Sequence, residues 1–238
     1  MTGKSVTGIL FDFDGVLSSL MARIGWPYLW GLKKAKPDIK REVVLQTMNE
    51  TLKAIISGEK VSPLYALMKF YEITNVRTLT PFQRLRFTIS GAVMYYKSKM
   101  NIVPLPFVNE ILTALLQEYK VGLVTSAERN VIERAKQKIP SLNNFDVIIT
   151  RDDCNNAKPH PESILKGLKG LGLKPSDCIY IGDLPSDIVA AQRANVRSVS
   201  VLGEFGEHSM SRLKELNPTY IIPAIKDLPE LLVEINKI

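Results

Sequence analysis

The stretch GILFDFDGVLSS, residues 8–19, decides how the rest of the chain is read. An apolar run, VTGILF (6–11), ends abruptly in two aspartates, Asp12 and Asp14, and Gly15 follows at once. A short apolar run closed by a turn-forming glycine reads as a buried strand. Two like charges at the mouth of such a strand raise each other's ionisation cost, and desolvation adds to it, unless a cation compensates. The pair therefore asks for a metal ion.

Downstream of this stretch, short apolar runs alternate with helix-like segments. An amphipathic helix is expected over 107–119, a strand over 120–125 (KVGLVT), a helix over 128–139 and a strand over 145–150 (FDVIIT). A helix over 161–171, a strand over 178–183 (CIYIGD), a helix from Pro185 to about Arg193 and a strand over 197–203 continue the series. Strands that are apolar on both faces and separated by helices imply a parallel sheet covered on both sides, an α/β core of the Rossmann-like kind.

The alternation is interrupted between Leu17 and Pro104, a span too long for a structureless loop in a compact domain. Its spacing is helical, with helices expected over 39–56, 62–73 (Ser62 as N-cap) and 81–99. The reading is an α/β core made of residues 1–17 and 104–238, interrupted by a helical domain over residues 18–103. The basic character of the chain is concentrated here. Residues 18–104 hold 14 Lys/Arg against 5 Asp/Glu, whereas the remainder holds 17 against 19, of a formal net charge of +7. No Lys/Arg run exceeds two residues and no zinc-finger or RNA-binding signature is present, so a basic surface that attracts a small anion, or that merely keeps the protein soluble, accounts for the charge more simply than nucleic acid does.

Other function classes find little support. No apolar segment approaches the roughly 18 residues of a membrane span, and no signal peptide is read at the N-terminus. The two cysteines, Cys154 and Cys178, form no disulfide framework, which points to a reducing cytoplasm. MTGKS lacks the preceding glycine and strand of a phosphate-binding P-loop, and GLKGLG (167–172) lacks dinucleotide-binding spacing. His160 and His208 are the only histidines, too few for a histidine-rich metal site.

Ligands of parallel α/β sheets bind at the carboxyl ends of the strands. At those ends stand Asp12 and Asp14 after the first strand, and Thr125 and Ser126 after the second. Lys158 in NAKPHPE precedes the helix after the third, and Asp183 and Asp187 in GDLPSD follow the fourth. Each type has a use if the substrate is a phosphate. Carboxylate oxygens suit Mg2+, and a carboxylate can attack phosphorus. A second carboxylic acid can protonate the leaving oxygen, while hydroxyls, N–H groups and a lysine stabilise the transferring group. Singly, each motif has a bland reading as a turn, a cap or a solvated lysine. Four in order at successive strand ends do not.

The ordered set DFDGVL, LVTSA, AKPHPE and IGDLPSD resembles the four motifs of the haloacid dehalogenase superfamily, and the helical insertion resembles that family's cap. The resemblance is to the subgroup with phosphoglycolate phosphatase and β-phosphoglucomutase. It implies Asp12 as nucleophile, Asp14 as general acid and base, Thr125 and the Ser126 backbone on the phosphoryl group, and Lys158 holding its charge. It implies Mg2+ on Asp12, the Asp14 carbonyl and Asp183, with Asp187 beside them. Leu17-Ser18-Ser19 departs from the family's commoner acidic ending, without removing a catalytic group. The expected function is a Mg2+-dependent phosphatase of a small phosphorylated metabolite. The alternatives are a β-phosphoglucomutase-type mutase and, from another class, a non-catalytic phospho-acceptor protein. Neither motif nor composition speaks to oligomeric state.

Overall fold

The computed structural model describes residues 5–39, 79–98, 100–205, 210 and 213–237. Its centre is a six-stranded, all-parallel sheet in the order β3-β2-β1-β4-β5-β6. The strands are β1 (Gly8–Phe11), β2 (Lys120–Val124), β3 (Val147–Ile149), β4 (Cys178–Gly182), β5 (Arg197–Val201) and β6 (Tyr220–Ile222). β1 and β4 are buried at every residue, as strands covered on both faces must be. The edge strand β6 goes beyond the expected five. Three residues in a Pro- and Thr-flanked segment leave too short a pattern to read.

Seven α-helices of seven residues or more are described. They are α1 (Trp26–Ala35), α2 (Pro81–Ser98), α3 (Val108–Leu115), α4 (Arg129–Ala135), α5 (Glu162–Leu171), α6 (Pro185–Arg193) and α7 (Leu228–Ile235). α3 and α4 end four residues before their expected limits. α5 ends where expected, because Gly172 takes the left-handed φ of 64° that closes a helix. The apolar side of α5 joins Leu10, Val124 and Tyr180 in one buried cluster, and α6 adds Ala190 and Ala191 to it.

The chain divides into two compact units, Met1–Ser19 with Val103–Ile238, and Leu20–Ile102. The first is continuous across the insertion. Leu105 N–H donates to Leu17 O at 3.0 Å and Ser19 N–H to Val103 O at 2.8 Å, so the chain leaves and re-enters side by side. Within the second unit, the expected helices over 39–56 and 62–73 lie, but for Ile39, outside the described residues. The third is α2. Its start is set by a reciprocal cap, in which Thr80 N–H donates to Gln83 Oε1 at 3.0 Å and Gln83 N–H donates to Thr80 Oγ1 at 3.3 Å, with Pro81 at the first helical position. α1 and α2 pack against one another where glycine meets glycine. A Cβ on Gly31 would lie 2.9 Å from the backbone of Gly91, which cannot swing aside.

Gly31→Ala therefore reverses the usual helix rule. Propensity favours alanine by about 1 kcal/mol, but overpacking against backbone costs about 1–3 kcal/mol. The variant is expected to unfold at lower urea concentration than the parent, followed by circular dichroism; a higher midpoint would refute the glycine contact.

Candidate active site

β1, β2 and β4 are adjacent in the sheet, so their carboxyl ends bring residues far apart in sequence to one place. Asp12 stands one residue past β1 and is 4% exposed. Its N–H donates to Ile181 O of β4 at 2.8 Å, which anchors its backbone to the neighbouring strand. Asp14 follows on the turn after it, half-buried. Gly15 continues that turn with φ 78°, and a Cβ there would collide with the Asp183 carboxylate. Glycine is required on both counts.

The centre of the site is the buried ammonium of Lys158. Its Nζ donates to Asp12 Oδ1 at 2.9 Å, to Asp187 Oδ1 at 2.6 Å and to the Tyr180 hydroxyl at 2.8 Å. Asp187, in the first turn of α6, is 1% exposed and its Oδ2 accepts the Leu184 N–H at 3.0 Å. One carboxylate thus starts a helix and holds the lysine. The loop carrying Lys158 is braced by Glu162, whose carboxylate accepts from the N–H groups of Asn155 and Asn156 and from Lys166 Nζ at 3.1, 2.9 and 2.7 Å.

Thr125, just past β2, is buried, and its Oγ1 accepts the Ala127 N–H at 3.0 Å. That bond uses a lone pair and leaves the hydroxyl proton to donate elsewhere. Ser126 is exposed beside it. The structure thus brings Asp12, Lys158, Asp183 and Asp187 into one cluster, with Asp14, Thr125 and Ser126 on the adjoining strand ends. Tyr180 escaped the sequence reading, because in CIYIGD it reads as one more core residue. The only signal was a hydroxyl-bearing ring in an otherwise apolar strand.

The electrostatics of the cluster are unbalanced. A carboxylate oxygen from each of Asp12, Asp183 and Asp187 lies within 4.8 Å of the other two. Three buried carboxylates thus face the single Lys158 ammonium. Burial would by itself lower the Lys158 pKa, but Asp12 and Asp187 outweigh it and hold it well above the usual lysine range. Burial pushes Asp12 up to about 7 against the pull of Lys158, with Asp187 and Asp14 adding to the rise. Asp183 is also raised well above the usual range, by burial and then by Asp187 and Asp12. Its Oδ1 is buried without a hydrogen-bond partner. A carboxylate set with excess negative charge and an unpartnered buried oxygen fits a hard divalent cation.

A pH signature follows from the two raised carboxylates. Without a cation the folded state keeps protons that the unfolded chain has released, so stability falls as pH rises from the ordinary carboxylate range through about 7. Adding Mg2+ is expected to raise the melting temperature by several degrees at about pH 8 and by less at about pH 5, where protons occupy the same oxygens. An equal shift at both pH values, or none, would speak against a cation on this cluster.

A family model described as haloacid dehalogenase-like hydrolase matches residues 9–201. Pyrophosphatase PpaX of Bacillus mycoides (strain KBAB4) is 36% identical over 233 residues, covering 97% of this chain and 99% of its own. Pyrophosphatase PpaX of Bacillus cereus (strain B4264) is 34% identical over 237 residues, covering 98% and 99%. Two solved structures bear on the fold alone. A haloacid dehalogenase-like family hydrolase from Streptococcus pneumoniae has a TM-score of 0.66 at 20% identity, covering 95% of this chain and 98% of its own. The β-phosphoglucomutase of Clostridium difficile has a TM-score of 0.63 at 24% identity, covering 98% and 97%.

Proposed function

The chain belongs to the haloacid dehalogenase-like hydrolases, and on that footing we propose a Mg2+-dependent phosphatase that cleaves a small phosphorylated metabolite through an aspartyl-phosphate on Asp12. The observation that carries this reading is the setting of Asp12. It is enclosed at the end of β1 with one oxygen 2.9 Å from the Lys158 ammonium and a carboxylate oxygen of Asp183 within 4.8 Å of one of its own.

In this reading the ionised Asp12 carboxylate attacks phosphorus, and the bond from phosphorus to the leaving oxygen breaks as Asp14 gives that oxygen its proton. Asp14, now a carboxylate, takes a proton from a water whose oxygen attacks phosphorus. The bond to Asp12 breaks and inorganic phosphate leaves. Thr125 Oγ1–H, the Ser126 N–H and Lys158 Nζ bind the equatorial oxygens, where negative charge has to be held in both steps. Asp12, Asp183 and the Asp14 main-chain carbonyl would hold Mg2+, with Asp187 beside them. The cation supplies charge neutralisation and orients the phosphate. Residues 18–103 are read as the cap domain of such an enzyme, with 1–17 and 104–238 as the core, and the basic surplus of the insertion favours an anionic substrate.

Inorganic pyrophosphate is a second substrate reading, supported by the 36% identity to a pyrophosphatase across nearly the whole chain. Among the described residues no helix is long and apolar enough to cross a membrane, and the two cysteines, both buried, form no disulfide. Two cysteines without a disulfide favour a reducing compartment, and the cytoplasm is the one proposed here.

The test is phosphate release from a panel of phosphorylated metabolites and inorganic pyrophosphate, with Mg2+ and with chelator. Metal-dependent release from a few members is expected. Sugar phosphates isomerised without release would replace hydrolysis by a mutase, and no turnover of any compound would leave a phosphate-binding protein. Asp12→Asn is expected to keep the parent circular dichroism spectrum and to lower release by about a thousandfold or more. Parent-like turnover in that variant would remove Asp12 as nucleophile.

A further inference from the structure

We propose that Tyr180 is a positioning residue for Lys158, its hydroxyl fixing the direction in which the ammonium presents its one exchangeable N–H to the transferring phosphoryl group. The inference rests on the reading of Lys158 as the residue that holds phosphoryl charge.

An ammonium has three N–H bonds at fixed angles. Two of them meet charged acceptors, Asp12 Oδ1 at 2.9 Å and Asp187 Oδ1 at 2.6 Å. The third needs a partner in a largely enclosed place, since Lys158 is 5% exposed. The main-chain oxygen of Val124 is 3.5 Å away, at the limit of a hydrogen bond. The Tyr180 oxygen, at 2.8 Å, fills that direction. It does so without adding a further negative charge to a cluster that already holds three carboxylates.

Packing does not account for the hydroxyl. Tyr180 lies within β4, paired in register with Leu10 of β1, and its ring belongs to the buried cluster with Leu10, Val124, Ile164 and Leu168. Phenylalanine would fill that space. A fully buried hydroxyl costs free energy unless it is bonded, and this one is bonded on both sides. It accepts from Lys158 and has two acceptors for its own proton, Asp187 Oδ1 at 3.1 Å and Val124 O at 3.3 Å. With its proton turned away on either of them, its lone pair faces Nζ. Tyr180 and Asp187 thus hold two corners of the ammonium. When Asp12 turns its oxygen to phosphorus, only the N–H that pointed to Asp12 has to pass to a phosphoryl oxygen.

The consequence separates kcat from KM. Coulomb attraction of a phosphate by Lys158 depends little on the direction of the N–H bonds. Stabilisation of the transition state depends on it strongly. With whichever panel compound is turned over fastest, Tyr180→Phe is expected to lower kcat by about tenfold and to change KM by less than about threefold. Tyr180→Leu, which loses ring and hydroxyl together, should fall at least as far in kcat and should also lower the melting temperature more than Tyr180→Phe does. A Tyr180→Phe variant with the parent's kcat and KM, beside a crippled Tyr180→Leu, would reduce Tyr180 to a core residue and overturn the proposal. So would a loss confined to KM. Lys158→Ala, measured in parallel, separates the two levels: if it keeps the parent's turnover, the role assigned to Lys158 fails and the proposal fails with it. If it loses turnover while Tyr180→Phe does not, only the role of Tyr180 fails.

Discussion

One buried ammonium surrounded by carboxylates is the constraint on which the arrangement of this protein depends. Lys158 is enclosed with Asp12 and Asp187 at 2.9 and 2.6 Å. Taking such ions out of water costs several kcal/mol each, and their attraction repays that only when the geometry is good and the remaining donors are satisfied. Every neighbouring feature serves that condition. α6 begins where Asp187 can cap its first turn, β4 places a hydroxyl below Nζ, and Glu162 braces the loop that delivers the lysine. Removing one partner would leave an uncompensated buried charge, which is why the cluster is tied to three strands and two helices rather than to a single loop.

The parallel sheet makes this convergence possible. Strands running in one direction end on one side, so the turns after β1, β2 and β4 lie together although 108 residues lie between β1 and β2 and 53 between β2 and β4. The order 3-2-1-4-5-6 puts β1 in the middle, with β2 and β4 as its neighbours, and the site opens where the chain's direction of travel across the sheet reverses. The insertion of the second unit leaves this undisturbed. The chain departs after Ser19 and returns at Val103 through paired backbone hydrogen bonds, so the end of β1 is fixed on both sides of the interruption.

The negative excess of the cluster has a chemical use. Asp12, Asp183 and Asp187 together outnumber the one ammonium, and burial raises the cost of each charge. A divalent cation held there would relieve a penalty already incurred in folding. That cation and the same lysine would also meet the negative charge of a phosphoryl group, so the charge imbalance that makes the cluster costly would suit it to phosphate chemistry.

Much of this was legible along the chain. Apolar runs capped by Asp, Thr or Gly-Asp marked the buried parallel strands and the residues at their ends, because a strand covered on both faces has no polar alternation and its end must carry whatever polarity the site needs. Asp12 and Asp183 were visible in this way, Lys158 and Asp187 through the motifs around them, and α2 lies in the segment where the period changes. What the sequence could not supply is which of these groups touch. Tyr180 looked like core because its ring is core; its hydroxyl gains meaning only when β4 is laid beside β1 and the loop after β3 folds over it. Asp187 looked like a ligand or a helix cap, and in the fold it caps α6 and grips Lys158 at once. Residue types and periodicity settle local structure, since they act over a few neighbouring positions. Hydrogen-bond partners, burial and charge balance arise between separate segments, as where Lys158 meets Tyr180, Asp187 and Asp12 at 22, 29 and 146 residues' distance along the chain, and only the tertiary structure brings those into contact.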